Sequence, residues 1–140
     1  MKRYKQSVIP QASSEWDGTT LTELKKIAKS YYVENLLGKK VINEHTGVTI
    51  EFAKSGISHV LYFGRASFVK LKAVQILDKL IKVAEFKNFK NPDASDGRNI
   101  VGFMIFEAKA KIEEETRNIR MIIRITNEGK FHYHHSEKIV

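Results

Sequence analysis

The chain has 140 residues, enough for one domain that buries a core without disulfide or metal staples. It has no cysteine, which excludes a thiol nucleophile, a disulfide framework, an iron–sulfur cluster and the common structural zinc sites. Twenty-four Lys and Arg against 16 Asp and Glu leave a net charge of +8, a balance that favours a polyanionic partner, nucleic acid before anionic membrane.

No apolar run approaches the length of a membrane span. The opening residues are charged and lack the apolar stretch of a secretory leader. Residues 1–18 read as a polar tail, followed by a single domain over 19–140, and a cytoplasmic location is expected. Thr20 and Glu23 have the spacing of a capping box. Leu21, Leu24, Ile27, Ala28 and Tyr31 then recur at helical spacing, with Gly38 as the stop. Lys25, Lys26 and Lys29 fall on the opposite, solvated face.

Lys40-Val41-Ile42 and the alternating Val48, Ile50 and Phe52 read as a hairpin around the turn residues 43–47. Residues 57–63 read as a short apolar helix ahead of Gly64-Arg65. Residues 67–86 read as the longest helix, and the polar stretch 87–98 as a loop. The remainder reads as a three-strand antiparallel meander over 100–112, 118–126 and 130–135. Apolar positions in its first strand change parity near Phe106, the mark of a bulge or of a centre buried on both faces. The expected fold is α+β: an N-terminal helix, a hairpin, a short and a long helix, then a meander packed on the helices. Leu24, Ile27, Ala28, Val48, Ile50, Phe52, Ile76, Leu77, Leu80, Ile119, Met121, Ile123 and Ile125 are expected in one core.

There is no phosphate-binding loop, dinucleotide glycine fingerprint, HExxH or GxSxG, so no cofactor or metal is expected. Glu113, Glu114 and Glu115 fall in a turn and read as a solvated charge run. His45 also lies in a turn, and the position of His59 alone suits a structural histidine. Strand alternation puts His132 and His134 on one side, and Phe131, Tyr133 and His135 on the other. Arg120 and Arg124 alternate on the neighbouring strand. Such a surface could be a solvated strand edge, a metal-binding pair of histidines, or a place to handle phosphate. RNA cleavage by internal transfer needs a base for the 2′-hydroxyl, an acid for the leaving oxygen and a fixed cation on the phosphate. Histidine serves either proton role, and arginine grips phosphate bidentately.

From Ile50 onward the pattern resembles the phage- and mobile-element-borne domains of the barnase–EndoU–colicin–RelE class and related modules of large polyvalent proteins. The resemblance is carried by Ile50-Glu-Phe-Ala-Lys-Ser-Gly-Ile-Ser-His59, by Lys70-Leu-Lys-Ala-Val-Gln-Ile-Leu-Asp-Lys-Leu-Ile81, by Arg120-Met-Ile-Ile-Arg124 and by Phe131-His-Tyr-His134. It implies helices followed by an antiparallel meander. It aligns His59 with the family's first histidine, Arg120 or Arg124 with a basic position on the penultimate strand, and Tyr133 or His134 with the terminal polar position. Many phage-type members follow the first histidine with an Arg-His pair, where this chain has Arg65 alone.

Together these readings lead to an expected metal-independent endoribonuclease, a hydrolase-like toxin or effector domain. His59, His134, Tyr133 and Arg124 would be catalytic, and Arg65, Arg120 and His132 would hold the substrate phosphate. The expected partners are RNA and an antitoxin or immunity protein, with no membrane. The alternative is a non-catalytic accessory domain of a mobile-element polyvalent protein that binds nucleic acid or protein.

Overall fold

The computed structural model of the chain describes residues 3–56 and 67–139, with side chains as far as Glu137. Thr20 Oγ1 accepts from the Glu23 amide at 3.2 Å and starts α1 (Leu21–Tyr31). Leu24 and Ala28 turn into the core, while Ile27 stays half-buried outside it. The helix then widens into a π turn over Tyr32–Leu36, in which the Leu37 amide reaches back to the Tyr32 carbonyl at 2.7 Å. That turn buries both Tyr32 and Leu36. Gly38, at φ +83°, takes the left-handed conformation that ends the run.

Strands β1 (Lys40–Ile42) and β2 (Thr49–Glu51) form the expected hairpin. The expected long helix is three pieces in series: α2 (Phe68–Lys72), a 3-10 turn (Ala73–Ile76) and α3 (Leu77–Val83). It stops at Val83 rather than near Phe86, and the reason lies in the hairpin turn. The buried Asn43 amide donates to the carbonyls of Ile81 at 2.8 Å and Ala84 at 2.9 Å, and the Glu44 amide donates to Lys82 O at 2.8 Å. These bonds satisfy the carbonyls that a further turn of helix would have used. The chain is then free to form β3 (Glu85–Lys90), a strand where the sequence indicates helix end and loop.

β4 (Ile100–Ile112), β5 (Glu115–Thr126) and β6 (Phe131–Ile139) are the three strands of the expected meander. The hairpin is not separate from them. The six-stranded sheet runs β1-β2-β6-β5-β4-β3, with β2 parallel to β6 and every other neighbour antiparallel. The helices cover one face. Leu24, Ala28, Ile50, Phe52, Ile76, Leu77, Leu80, Ile119, Met121 and Ile123 join one core there, with Val48 and Ile125 packed at its margin. The other face carries no helix among the described residues, but Ile100, Phe103 and Ile122 form a smaller buried cluster on it. Of the two expectations for the parity change near Phe106, the buried centre is the one met: β4 pairs regularly with β5 through Phe106 and is buried on both faces at its centre, while the bulge in that pairing falls away from it, between Ile100 and Gly102.

The N-terminal residues lie against the domain. Tyr4 Oη donates to Val83 O at 2.8 Å, the Gln6 amide donates to Lys109 O at 2.8 Å, and Gln11 bridges to Lys111. The buried Lys72 ammonium holds Asp17 at 2.7 Å and Glu113 at 3.2 Å, tying this segment to the β4–β5 turn.

Candidate functional site

Residues directly opposite one another in an antiparallel pair share a face of the sheet. Tyr133 stands opposite Ile123, so it belongs to the helix-covered side. It is fully buried, with its ring 5.3 Å from Phe52 and 6.3 Å from Tyr32, and its hydroxyl bonds to Ser136. Burial pushes the phenol far above its ordinary pKa, and the Ser136 bond offsets this only in part. Tyr133 therefore does not share a surface with the polar residues beside it in sequence.

Arg124 stands opposite His132, on the helix-free face. The next pair is Ile122 with His135, not with His134, because the register shifts between Ile122 and Ile123. The extra residue is His134, and a bulge reverses the alternation beyond it. His135 thus faces the side of Ile122 rather than that of Phe131 and Tyr133, where simple alternation places it. The His134 ring lies 5.6 Å from Phe103 and 5.1 Å from His135. So His132, His134 and His135 all occupy the helix-free face, each half-buried. The sequence could not reveal this, since the shift is set by pairing with another strand.

The two arginines differ. Arg124 Nη2 donates to Ser55 Oγ at 2.8 Å across β6, and its Nε, like that of Arg120, is buried without a hydrogen bond. Among the described residues it pairs with no carboxylate. Arg120 lies in a cross-strand row between Glu107, at 3.6 Å, and Glu137, at 3.8 Å, so its charge is already offset. Burial lowers the pKa of His132, and Arg124 and Lys130 lower it further against the opposing pull of Glu51 and Glu128. Glu51 is its neighbour in the parallel β2–β6 pairing. At neutral pH this imidazole is uncharged and can both donate and accept a hydrogen bond.

Lys70 is buried behind this edge, and desolvation lowers its pKa against the attraction of Glu137. Neither Lys70 nor Ser55 carries a sequence signal of its own, since each owes its place to the tertiary fold. His45 is structural: its Nδ1 accepts from the Phe86 amide at 2.9 Å, and Tyr4 stacks on it at 4.3 Å. His59 and Arg65 lie outside the described residues. Among the described residues no three His, Asp or Glu converge as metal ligands, and no helix is long and apolar enough to cross a membrane. A recess of about 500 Å³ lies apart from His132, His134 and His135, between the N-terminal segment and β3–β4. Its Glu85 is engaged by Arg3 and Lys87.

Residues 19–133 match the family model described as large polyvalent protein-associated domain 3. The match takes in Arg120, Arg124 and His132 and stops one residue short of the bulged His134. It supports the polyvalent-protein side of the resemblance seen in the sequence and leaves the nuclease class without support. No curated protein and no solved structure matches the chain.

Proposed function

The chain belongs to the large polyvalent protein-associated domain 3 family, and from that premise we propose that it is an accessory domain that binds nucleic acid, RNA in preference, on the helix-free face of its sheet. The observation that carries this reading is the bulge at His134, which gathers His132, His134 and His135 on the face that holds Arg124. A phosphate would sit between the Arg124 guanidinium and the neutral His132 ring. The half-buried histidine rings beyond would offer surfaces for base stacking. Neutral imidazoles donate and accept hydrogen bonds, as a ribose 2′-hydroxyl does, which favours RNA over DNA. The net charge of +8 would draw the strand in through space. Titration of labelled single-stranded RNA against wild-type and Arg124→Ala chains tests the assignment.

A second reading keeps the same face but adds chemistry: a metal-independent endoribonuclease of toxin or effector type. It is favoured by the pairing of an uncharged imidazole, His132, with a phosphate-gripping cation, Arg124, since cleavage by 2′-hydroxyl attack needs the phosphate held and its developing charge stabilised. His134 and His59 would then share the proton transfers, with Arg65 as a further phosphate ligand. An antitoxin or immunity protein would be the expected partner, and either reading suits the cytoplasm. Incubation with RNA in chelator decides: products ending in 2′,3′-cyclic phosphate, lost in His59→Ala, would establish the enzyme, and intact RNA would leave the binding domain alone.

A further inference from the structure

The strand register lines up one residue from each strand in a single row across the whole sheet. Lys40 stands opposite Glu51, Glu51 opposite His132, His132 opposite Arg124, Arg124 opposite Phe103, and Phe103 opposite Lys90. Opposed residues share a face, so all six lie on the side of Arg124, away from the core of Ile123 and Tyr133.

Charge changes sign along this row at His132. Beneath the larger effect of burial, Glu51 pulls the His132 pKa up and Arg124 pulls it down, so both charges reach the ring. From Arg124 the row continues over the buried Phe103 to the exposed Lys90 of β3. Two strand spacings put Lys90 about 10 Å from Arg124, and among the described residues Lys90 makes no ion pair. In the other direction Lys40 lies beyond Glu51 and is its direct cross-strand neighbour. Lys130, which precedes β6, is held by Glu128 at 3.7 Å. A second row, four residues away along β5, joins Glu85, Glu107, Arg120 and Glu137, where carboxylates outnumber the one guanidinium. Among these residues a polyanion therefore meets unpaired cations in one direction, from Arg124 towards β3.

On the RNA-binding reading of this face, on which the assignment rests, we propose that Lys90 is a second phosphate ligand and Glu51 a stop, so that the bound strand crosses the sheet from Arg124 and leaves over β3. The long side chains of Arg124 and Lys90 hold neighbouring phosphates, with the sugar between them above Phe103. The bases turn towards Ile122, His134 and His135, which follow on the same face. Glu51 repels a phosphate carried past His132 and so fixes which way the strand leaves.

Fluorescence anisotropy with a labelled single-stranded RNA across a salt series tests this, with circular dichroism to establish that each variant is folded. Lys90→Ala weakens binding about three- to fivefold at low salt. It also lowers the slope of log affinity against log salt by about 0.7, the share of one phosphate on a single strand. Glu51→Gln tightens binding about threefold. Lys29→Ala and Glu34→Gln make the same charge changes on the helical side and shift affinity by less than about twofold. Lys40→Ala leaves the slope as it is. Wild-type affinity and slope in Lys90→Ala overturn the crossing path, as does a slope lowered by Lys40→Ala or a Glu51→Gln chain that binds no tighter than wild type. Any of these results, beside a loss in Arg124→Ala, would leave the RNA-binding surface standing. A folded wild type that binds no RNA removes that surface and the path with it.

Discussion

Arg124 and His132 face each other across β5 and β6, on the side of the sheet opposite the Tyr133 and Ile123 core. Burial of the imidazole, reinforced by the guanidinium and by Lys130, holds His132 below the ordinary histidine range. The pair sets a cation that cannot lose its proton beside a ring that resists gaining one.

That relationship makes stability depend on pH in one direction. In the unfolded chain His132 takes up its proton near the ordinary value of 6.5, and in the folded chain only at lower pH. The unfolded state therefore binds more protons in that window. Stability is full above it and is lost as pH falls from about 6.5 towards the folded-state value. His132→Asn removes the titrating group. Thermal unfolding followed from about pH 7.5 to 5.5 should show a smaller loss for the variant than for the wild type. Parallel losses in the two proteins would contradict the assignment.

Asn43 governs where the second helical segment ends. Its amide donates to two buried carbonyls, and its Oδ1 accepts from the amide and hydroxyl of Thr46 at 2.9 and 3.0 Å. Asn43→Ala would strand Ile81 and Ala84 carbonyls away from water. The expected cost is about 2–4 kcal/mol by denaturant unfolding, since each orphaned buried acceptor costs roughly 1–3 kcal/mol. Asn43→Asp should be nearly as damaging, because a carboxylate cannot donate to those carbonyls. A loss below about 0.5 kcal/mol, the range of an ordinary surface change, would show that the helix end is fixed elsewhere.

The same residue shows what was legible in the sequence and what was not. Local signals read correctly: the Thr20 cap, the stripe of Leu24 and Ala28, and the alternation of Ile119, Met121 and Ile123 all appear where spacing puts them. Non-local causes left no local mark. The helix ends early through a side chain 38 residues before Ile81, so Glu85–Lys90 becomes a strand against its helix-like and loop-like neighbours. Plain alternation cannot show an extra residue, so His135 changed face when β6 bulged against β5. Arg120 and Arg124 look equivalent in sequence. Only the cross-strand register discloses that Glu107 and Glu137 flank the first.

The difference between those two arginines supplies the most direct test of the helix-free face as the nucleic-acid surface. Fluorescence anisotropy would follow a labelled single-stranded RNA titrated with wild type, Arg124→Ala and Arg120→Ala at two salt concentrations. The wild type should bind, and more weakly as salt rises, because neutralised phosphates release counterions. Arg124→Ala should weaken binding by about tenfold or more, the worth of a charge-assisted hydrogen bond to phosphate of roughly 1.5–3 kcal/mol. Arg120→Ala should change affinity by less than about threefold, since its charge is already spent on two carboxylates. Equal affinity for wild type and Arg124→Ala, or no RNA binding by the folded wild type at low salt, would contradict the account.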